Sequence, residues 1–195
     1  MENIRILKSK DYLRLPWKNG QGHTNQIAIS PAGSNFASGD FLWRLSTASI
    51  TSAGPFSLFP QHQRILAIIQ GHGIEIMHEE KKMTLPAFTA HQFSGAVSTR
   101  SELPYGPVVD FNLFWRDEQV SIQLEIITLQ RGDDFLWKTN GKNNFLFLAE
   151  GRVQAGKYSM EHFDTLHGTG ETRVEIQPLT MTARAISIAL AGVSL

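Results

Sequence analysis

One strand-like segment carries an arginine on a face that is otherwise small or apolar. In "FLWRLSTASI", residues 41–50, strand alternation places Leu42, Arg44, Ser46 and Ala48 on one face. A solvated strand face normally carries several charges, whereas Arg44 is the single charge here. The pattern therefore favours a pocket wall, with Arg44 and Ser46 as candidate ligand-binding residues; a solvent-facing strand is the alternative.

A second segment, "VVDFNLFWR" at residues 108–116, shows a similar pattern. Asp110 and Asn112 share one face with Val108 and Phe114, and the opposite face is wholly apolar. A carboxylate that is even partly buried needs a partner, and an arginine is the candidate by residue type. The pair is interpreted either as part of a binding site or as a purely structural ion pair.

The glycine-rich loop "PWKNGQGHT", residues 16–24, offers a third polar group. Gly20 permits a close approach of the backbone, and successive amides in such a loop can bind an anion. Lys18 adds charge, Asn19 a donor and an acceptor, and Thr24 a hydroxyl. Anchored by Trp17, the loop could close one end of a barrel over an anionic ligand; the alternative is a glycine-rich turn whose tryptophan plugs the barrel and whose lysine is solvated. It lacks the Gly-Lys-Ser/Thr ending of nucleotide-binding loops.

Composition excludes several classes of function. The chain has 195 residues, enough for one large domain or two small fused halves. Its 18 basic and 18 acidic residues give zero net charge, which argues against a nucleic-acid partner. The absence of cysteine excludes disulfides, thiolate nucleophiles and cysteine-based zinc sites. No apolar run is long enough to span a membrane and no signal peptide is evident, so a cytoplasmic protein without a membrane partner is predicted.

The apolar pattern predicts an all-β protein. Short alternating or apolar runs are separated by glycine- and proline-containing turns, as in sandwiches and barrels. "RILAIIQGHGIEI" (64–76) also resembles "NFLFLAEGRVQAG" (144–156), either because two related β-halves are fused or by chance. The charged run "HEEKK" (78–82) is interpreted as a solvated hairpin tip. Long strands need covered edges, and a homodimer is one way to cover them.

Three stretches together resemble the HutD/Ves family of bacterial proteins: "PWKNGQGHTNQIAI", "FLWRLSTASITSAGPFSLFPQHQRILAIIQG" and "PVVDFNLFWR". The resemblance implies a cupin-type β-barrel or jelly roll in a single compact domain, 1–195. Residues 12–116 would form the family-matching cupin half, and 117–195 a second β-layer or degenerate cupin half. It also implies a link to bacterial histidine utilisation as a small-molecule-responsive modulator. Gln21 and Gln26 depart from the family's usual glycine and glutamate.

The cupin metal motif is missing from this sequence. Many cupins bind a metal through His-x-His and a glutamate that precedes a glycine. Aligned on Gly71, that motif places Arg64 at the glutamate and Leu58 and Pro60 at the histidines, and none of these can ligate. The histidines present are expected mostly in exposed loops, so we predict no metal and no cofactor. Arg64 would instead supply a fixed cation suited to a carboxylate, unless it pairs with a surface acid at the barrel rim.

The predicted function is a metal-free cupin that senses or sequesters a small anionic metabolite, such as a carboxylated intermediate of histidine degradation, in a regulatory role. The candidate ligand-binding residues are Lys18, Asn19, Gly20, Thr24, Arg44, Ser46, Arg64, Asp110 and Asn112. The alternative is a metal-independent isomerase, lyase or hydrolase with Asp110, or else His62, as general base. No residue pattern positively supports catalysis, so the question of an enzyme stays open beside a third hypothesis, an interaction module without a ligand.

Overall fold

The computed structural model describes residues 3–17 and 22–193, and strands dominate this part of the chain. Two short 3-10 helices also occur, at Ser9–Asp11 and Phe36–Ser38. The prediction of an all-β protein is confirmed. The strands of the described residues are, in chain order, β1 (Ile4–Leu7), β2 (Leu13–Pro16), β3 (His23–Ser30), β4 (Trp43–Ile50), β5 (Gly54–Pro55), β6 (Gln63–Gln70), β7 (Ile74–His78), β8 (Lys81–Leu85), β9 (Ala90–Ser94), β10 (Thr99–Glu102), β11 (Val108–Trp115), β12 (Val120–Gln130), β13 (Phe135–Thr139), β14 (Asn143–Glu150), β15 (Val153–Ala155), β16 (Tyr158–Met160), β17 (Thr165–Gly168), β18 (Thr172–Pro178) and β19 (Thr182–Gly192).

The chain folds into two compact units, a central unit of residues 13–119 and a terminal unit of residues 1–12 and 120–195. The central unit contains the sheets β2-β3-β4-β11-β6-β9 and β5-β10-β7-β8. The terminal unit contains the sheets β1-β17-β14-β19-β12 and β13-β18-β15-β16. All ladders are antiparallel. The sequence predicted a single compact domain, 1–195, with a cupin half at 12–116 and a second part at 117–195, and this organisation stays a prediction.

The two units repeat one strand order. The sheets of the central unit contain the strand orders β4-β11-β6-β9 and β5-β10-β7-β8. Adding eight to each strand number gives β12-β19-β14-β17 and β13-β18-β15-β16, which are the strand orders found in the terminal unit. The two stretches that resemble each other in sequence, 64–76 and 144–156, form the equivalent strands β6–β7 and β14–β15. The turn between β6 and β7 begins at Gly71, and the turn between β14 and β15 begins at Gly151; both glycines have a positive φ. Two related β-halves explain this agreement in topology.

Each unit buries one apolar cluster between its two sheets. In the central unit, Leu66 and Ile68 of β6 pack with Ile74 and Ile76 of β7. Full burial of each such side chain stabilises the fold by roughly 1.5–3 kcal/mol. The terminal cluster surrounds a cavity of about 10 Å³ that only apolar residues line, room for at most about one water molecule.

Gly71 offers a direct test of the turn between β6 and β7. Its φ is +99°, and a Cβ there would lie 2.8 Å from the carbonyl oxygen of Pro107. Gly106 has a similar φ of +90° but open space around it. We expect Gly106→Ala to cost about 1 kcal/mol, the left-handed backbone penalty. Gly71→Ala should cost about 3 kcal/mol because the backbone contact adds to that penalty. Equal losses in chemical denaturation would contradict the close approach.

Candidate functional site

Strands β4, β11 and β6 lie side by side and bring the predicted polar residues together. Their register aligns Arg44, Phe114 and Arg64 in one row across the sheet. Asn112 lies in the next row and Asp110 in the one after it, on the same face by alternation. This face also carries the central apolar cluster, so the polar set is enclosed between the two sheets.

Arg44 is almost fully buried, with 2% of its surface exposed. Its Nε donates to Gln26 Oε1 at 2.8 Å, and its Nη1 donates to Ser46 Oγ at 3.2 Å. The Phe36 ring covers the guanidinium, with its centroid 3.8 Å from Cζ. Nη2 of Arg44 is buried and has no hydrogen-bond partner among the described residues. The predicted role of Arg44 in a pocket wall agrees with this burial, and Ser46 holds the side chain in place.

Arg64 is also buried, and its guanidinium is fixed along one edge only. Nε and Nη2 both donate to Asn112 Oδ1, the former at 2.9 Å. The rings of Phe56, Phe114 and Phe93 surround Cζ, with centroids at 4.2, 5.0 and 5.4 Å. No hydrogen bond in the described part of the chain uses Nη1. The alternative that Arg64 pairs with a surface acid is therefore not what this structure shows.

Asp110 lies on the strand between those of the two arginines, two rows along the same face, and forms no salt bridge to either within the described residues. Its Oδ1 accepts a hydrogen bond from the Ala48 backbone N–H at 3.0 Å. Burial raises the pKa of Asp110 to about 6, against the lowering effects of Arg64, Asn112 and the Ala48 amide. The purely structural ion pair considered from the sequence is absent among these residues.

The buried charges of the central unit do not balance. Within its described residues, the fully charged side chains that are buried are Arg44, Arg64 and Asp110. Burial lowers the pKa of each arginine to about 10, so both remain cationic at neutral pH. Two cations and one carboxylate leave one positive charge in an enclosed place, where an unpaired ion is costly. An anion bound beside the arginines would remove that cost.

The terminal unit shows that the barrel does not need these charges. In the central unit, Asp110 of β11 pairs with Ala48 of β4 and Ile68 of β6. At the equivalent position of the terminal unit, Ala185 of β19 pairs with Ile127 of β12 and Leu148 of β14. Asn144 stands where the matching strand of the central unit has Arg64. No arginine or lysine is buried among the described residues of the terminal unit. The same strand order therefore forms without a buried arginine at the position equivalent to Arg64 and without a carboxylate at the position equivalent to Asp110.

The Trp17 side chain directly after β2 is held in place, and both sequence interpretations of the glycine-rich loop stay predictions. Trp17 Nε1 donates to Thr24 Oγ1 at 3.0 Å, so Thr24 holds the indole ring. The ring occupies the space beside Gly22, where a Cβ would lie 2.9 Å from it. Thr24 stays a predicted ligand residue. The remaining predicted members of the loop, Lys18, Asn19 and Gly20, lie outside the described residues.

A pair of histidines near Arg64 was missed by the sequence analysis. His78 and His91 approach each other with their Nε2 atoms 2.9 Å apart. The Phe93 ring packs against both imidazoles. The interpretation of residues 78–82 as a solvated tip holds for Glu79 and Glu80, which are exposed, but not for half-buried His78. His78 lies on β7 in one sheet and His91 on β9 in the other, so no local sequence pattern predicts that they approach each other.

Most histidines are not exposed, contrary to expectation. Only His72 and His162 are classed as exposed among the seven. His62 is buried, its Nε2 bonds the Phe41 carbonyl oxygen at 2.9 Å, and its ring stacks on Phe41. Burial lowers the pKa of His62. These contacts fix the orientation of the His62 ring, and its role as a general base stays a prediction.

No group of three or more His, Asp or Glu side chains suited to a metal ion occurs among the described residues. Leu58 and Pro60, aligned with the cupin metal ligands, lie in the loop before β6 and are exposed. Within the same ranges, no helix has the length and apolar character needed to cross a membrane.

Comparison with known proteins identifies the family. A family model described as HutD matches residues 9–186. The chain belongs to the HutD family. The resemblance deduced from the sequence motifs is confirmed, and the match extends into the C-terminal part, where the motifs were faint.

Named HutD-family relatives and one HutD structure are similar to this chain. It is 35% identical over 126 residues to an uncharacterized 21.2 kDa protein in the hutC 3′ region of Pseudomonas putida, covering 64% of this chain and 65% of that one. It is 32% identical over 112 residues to protein Ves of Cronobacter sakazakii, covering 56% and 59%. The matches thus span less than two thirds of these relatives. The structure of HutD from Pseudomonas fluorescens SBW25, solved in a formate condition, has a TM-score of 0.82 and 28% identity, covering 98% of this chain and 100% of that one.

A more distant likeness shows the fold alone. A cupin 2 conserved barrel domain protein from Leptotrichia buccalis has a TM-score of 0.59 at 10% identity, covering 97% of both chains. The prediction of a cupin-type barrel for this HutD-family chain is confirmed.

Proposed function

We propose that this HutD-family chain binds a small carboxylated metabolite between Arg44 and Arg64, and that it senses or sequesters that metabolite in a regulatory role. The observation that carries the proposal is one guanidinium nitrogen on each arginine, Nη2 of Arg44 and Nη1 of Arg64, that makes no hydrogen bond to the described residues. Both nitrogens belong to side chains that lie in the same row of one sheet. A site of this kind binds an anion through charge-assisted hydrogen bonds.

The charge of the site favours a single carboxylate. With Asp110 ionised, the two arginines leave one uncompensated positive charge, which one monoanionic group neutralises. The rings of Phe36 and Phe56 cover the two guanidinium groups, at 3.8 and 4.2 Å from Cζ of Arg44 and Arg64. Planar carboxylates match the planar guanidinium donors.

The relatives support a place in histidine metabolism. One similar protein is encoded in a hutC 3′ region, and a similar solved structure is called HutD. These names favour an intermediate of histidine degradation as the carboxylated metabolite. The proposal uses no metal, because the positive charge of the site resides on the two arginine side chains.

Asp110 favours one second candidate, a metal-independent isomerase, lyase or hydrolase. Burial holds the pKa of this carboxyl at about 6, close to the range in which a general base is effective. The Ala48 amide engages one of its oxygens. Conversion of a bound acid that is lost in Asp110→Asn would favour this candidate over a binding protein.

Thermal unfolding with a panel of small acids tests the proposal. Formate, acetate and longer carboxylates are compared with the corresponding uncharged amides, which keep the shape but lack the charge. A carboxylate at a hundredfold excess over its Kd should stabilise the chain by about 2.7 kcal/mol, and its amide should not. If no carboxylate raises the Tm, the chain is better described as an interaction module.

A further inference from the structure

The two histidines beside the arginine site belong to an ordered hydrogen-bond chain. His78 Nε2 and His91 Nε2 lie 2.9 Å apart, and His78 Nδ1 lies 2.9 Å from Thr99 Oγ1. The Thr99 hydroxyl donates to the Val97 carbonyl oxygen at 3.1 Å. The chain thus runs from the backbone through one hydroxyl to two imidazoles.

The donor and acceptor of each of these hydrogen bonds follow from the Thr99 hydroxyl, which has a single proton to donate. Because the one proton of the Thr99 hydroxyl goes to Val97, its oxygen accepts from Nδ1–H of His78. Neutral His78 then accepts at Nε2 from Nε2–H of His91. Burial lowers the pKa of both imidazoles, which favours the neutral forms that this arrangement requires.

The chain ends on a free acceptor. With Nε2 of His91 protonated, its Nδ1 carries a lone pair, and no hydrogen bond of the described residues uses that atom. Nδ1 is also absent from the unpartnered atoms that are sealed from solvent in those residues. A ligand can therefore reach it with an N–H or O–H group.

Phe93 connects this acceptor with Arg64. The Phe93 ring centroid lies 4.7 Å from the ring of His78, 5.5 Å from that of His91 and 5.4 Å from Arg64 Cζ. Arg64 is close enough for its charge to contribute to the lowered pKa of His78, after burial and His91. The His91 imidazole and the Arg64 guanidinium therefore both lie within 5.5 Å of the centre of one aromatic ring.

The barrel fold does not require a histidine here. His91 of β9 lies opposite Leu66 of β6, whereas the equivalent pair in the terminal unit is Leu166 opposite Leu146. Leu166 is buried in the apolar cluster of that unit. The imidazole at position 91, like the arginines, distinguishes the central unit from its apolar counterpart.

We propose that the His78–His91 pair is a second recognition element of the arginine site and selects carboxylates that carry a hydrogen-bond donor at their far end. The chemical class is a short hydroxy- or amido-acid, with its carboxylate on the arginines and its O–H or N–H on His91. This inference rests on the proposed binding of a carboxylate, and it adds specificity to that function.

Isosteric acids test the inference. Short ω-hydroxy acids are compared by calorimetry with alkyl acids in which a methyl group replaces the hydroxyl, for example 4-hydroxybutanoate with pentanoate. We expect the wild type to bind at least one hydroxy acid about tenfold more tightly than its isostere, the effect of about one hydrogen bond. His91→Leu, which copies Leu166, should lose this preference and keep the binding of the alkyl acid. Exposed His72→Leu is the matched control and should keep the preference.

Thr99→Val provides a second variant with little change in volume. It removes the hydroxyl that orients His78, so the preference should fall at least threefold even if His91→Leu fails to fold. Equal binding of hydroxy and alkyl acids by the wild type, or an unchanged preference in the folded variants, would overturn the inference and leave the arginine site intact. Binding of neither acid would instead refute the proposed function itself.

Discussion

Replacing Arg64 with methionine is expected to abolish stabilisation by small carboxylates. Removing one partner of a buried charge-assisted contact weakens binding by about 2–5 kcal/mol. At a carboxylate concentration that stabilises the wild type by about 2.7 kcal/mol, the variant should gain roughly 0.9 kcal/mol or less. Unfolding followed with and without the acid measures the difference. Arg44→Met should behave in the same way, because its Nη2 is the other donor without a partner in the described part of the chain.

The fold should survive these substitutions. Methionine removes a buried charge, which favours the folded state, but it also leaves Asn112 Oδ1 without its arginine donors. These effects oppose each other, so the unfolding free energy of the unliganded protein should change by no more than about 2 kcal/mol. Arg173→Met, at an exposed arginine of the terminal unit, is the matched control. Wild-type affinity in both Arg44→Met and Arg64→Met would exclude the proposed site.

Asp110→Asn is expected to change the pH dependence of stability. Burial raises the pKa of Asp110 from 3.8 to about 6, so between these values the folded state binds more protons than the unfolded state. The unfolding free energy therefore falls as the pH rises through this window, by up to about 3 kcal/mol. The asparagine variant should lack this decrease and should be at least as stable as the wild type at pH 7. Its Oδ1 can still accept from the Ala48 amide.

The same variant should bind carboxylates more tightly at pH 7. It removes the negative charge that competes with the ligand for the arginines, and we expect a gain of roughly tenfold, equivalent to about 1.4 kcal/mol. Denaturation curves from pH 4 to 8 and calorimetry at pH 7 measure both effects, with exposed Asp117→Asn as control. A loss of several kcal/mol at pH 7 would show that Asp110 is needed as a structural anion.

Strand alternation predicted the central part of the candidate site. Arg44 and Asp110 were recognised because each is a single charge on a face of small or apolar residues, and both are buried. Their neighbourhood follows from the pairing of β4 with β11, which a single strand cannot reveal. Arg64 was recognised because it takes the place of the metal-binding glutamate when the cupin motif is aligned on Gly71. The pairing of β11 with both β4 and β6 places Arg64 in the same row as Arg44.

The rest of the site depends on contacts between distant segments. β8, β9 and β10 are short and polar, as in "KKMTL", "AHQFS" and "TRSE", so no apolar alternation marks them. They nevertheless carry His91 and Thr99, and with them the orientation of His78. Burial of these residues is decided by the packing of two sheets, and the local sequence does not record it.

The comparison between the two units separates folding from function. One strand order is built twice around apolar side chains, and in the central unit two buried arginines and a buried aspartate are added to them. Natural barrels keep uncompensated buried charge only where something offsets its cost. In the proposed function, a carboxylate bound beside Arg44 and Arg64 would provide that compensation.

The most direct test of the central claim is a crystal structure of the protein with the carboxylate that raises its Tm most. The proposed site predicts carboxylate oxygens within hydrogen-bonding distance of Arg44 Nη2 and Arg64 Nη1, between β4 and β6. A carboxylate bound elsewhere, with both nitrogens occupied by groups of the protein itself, would contradict it.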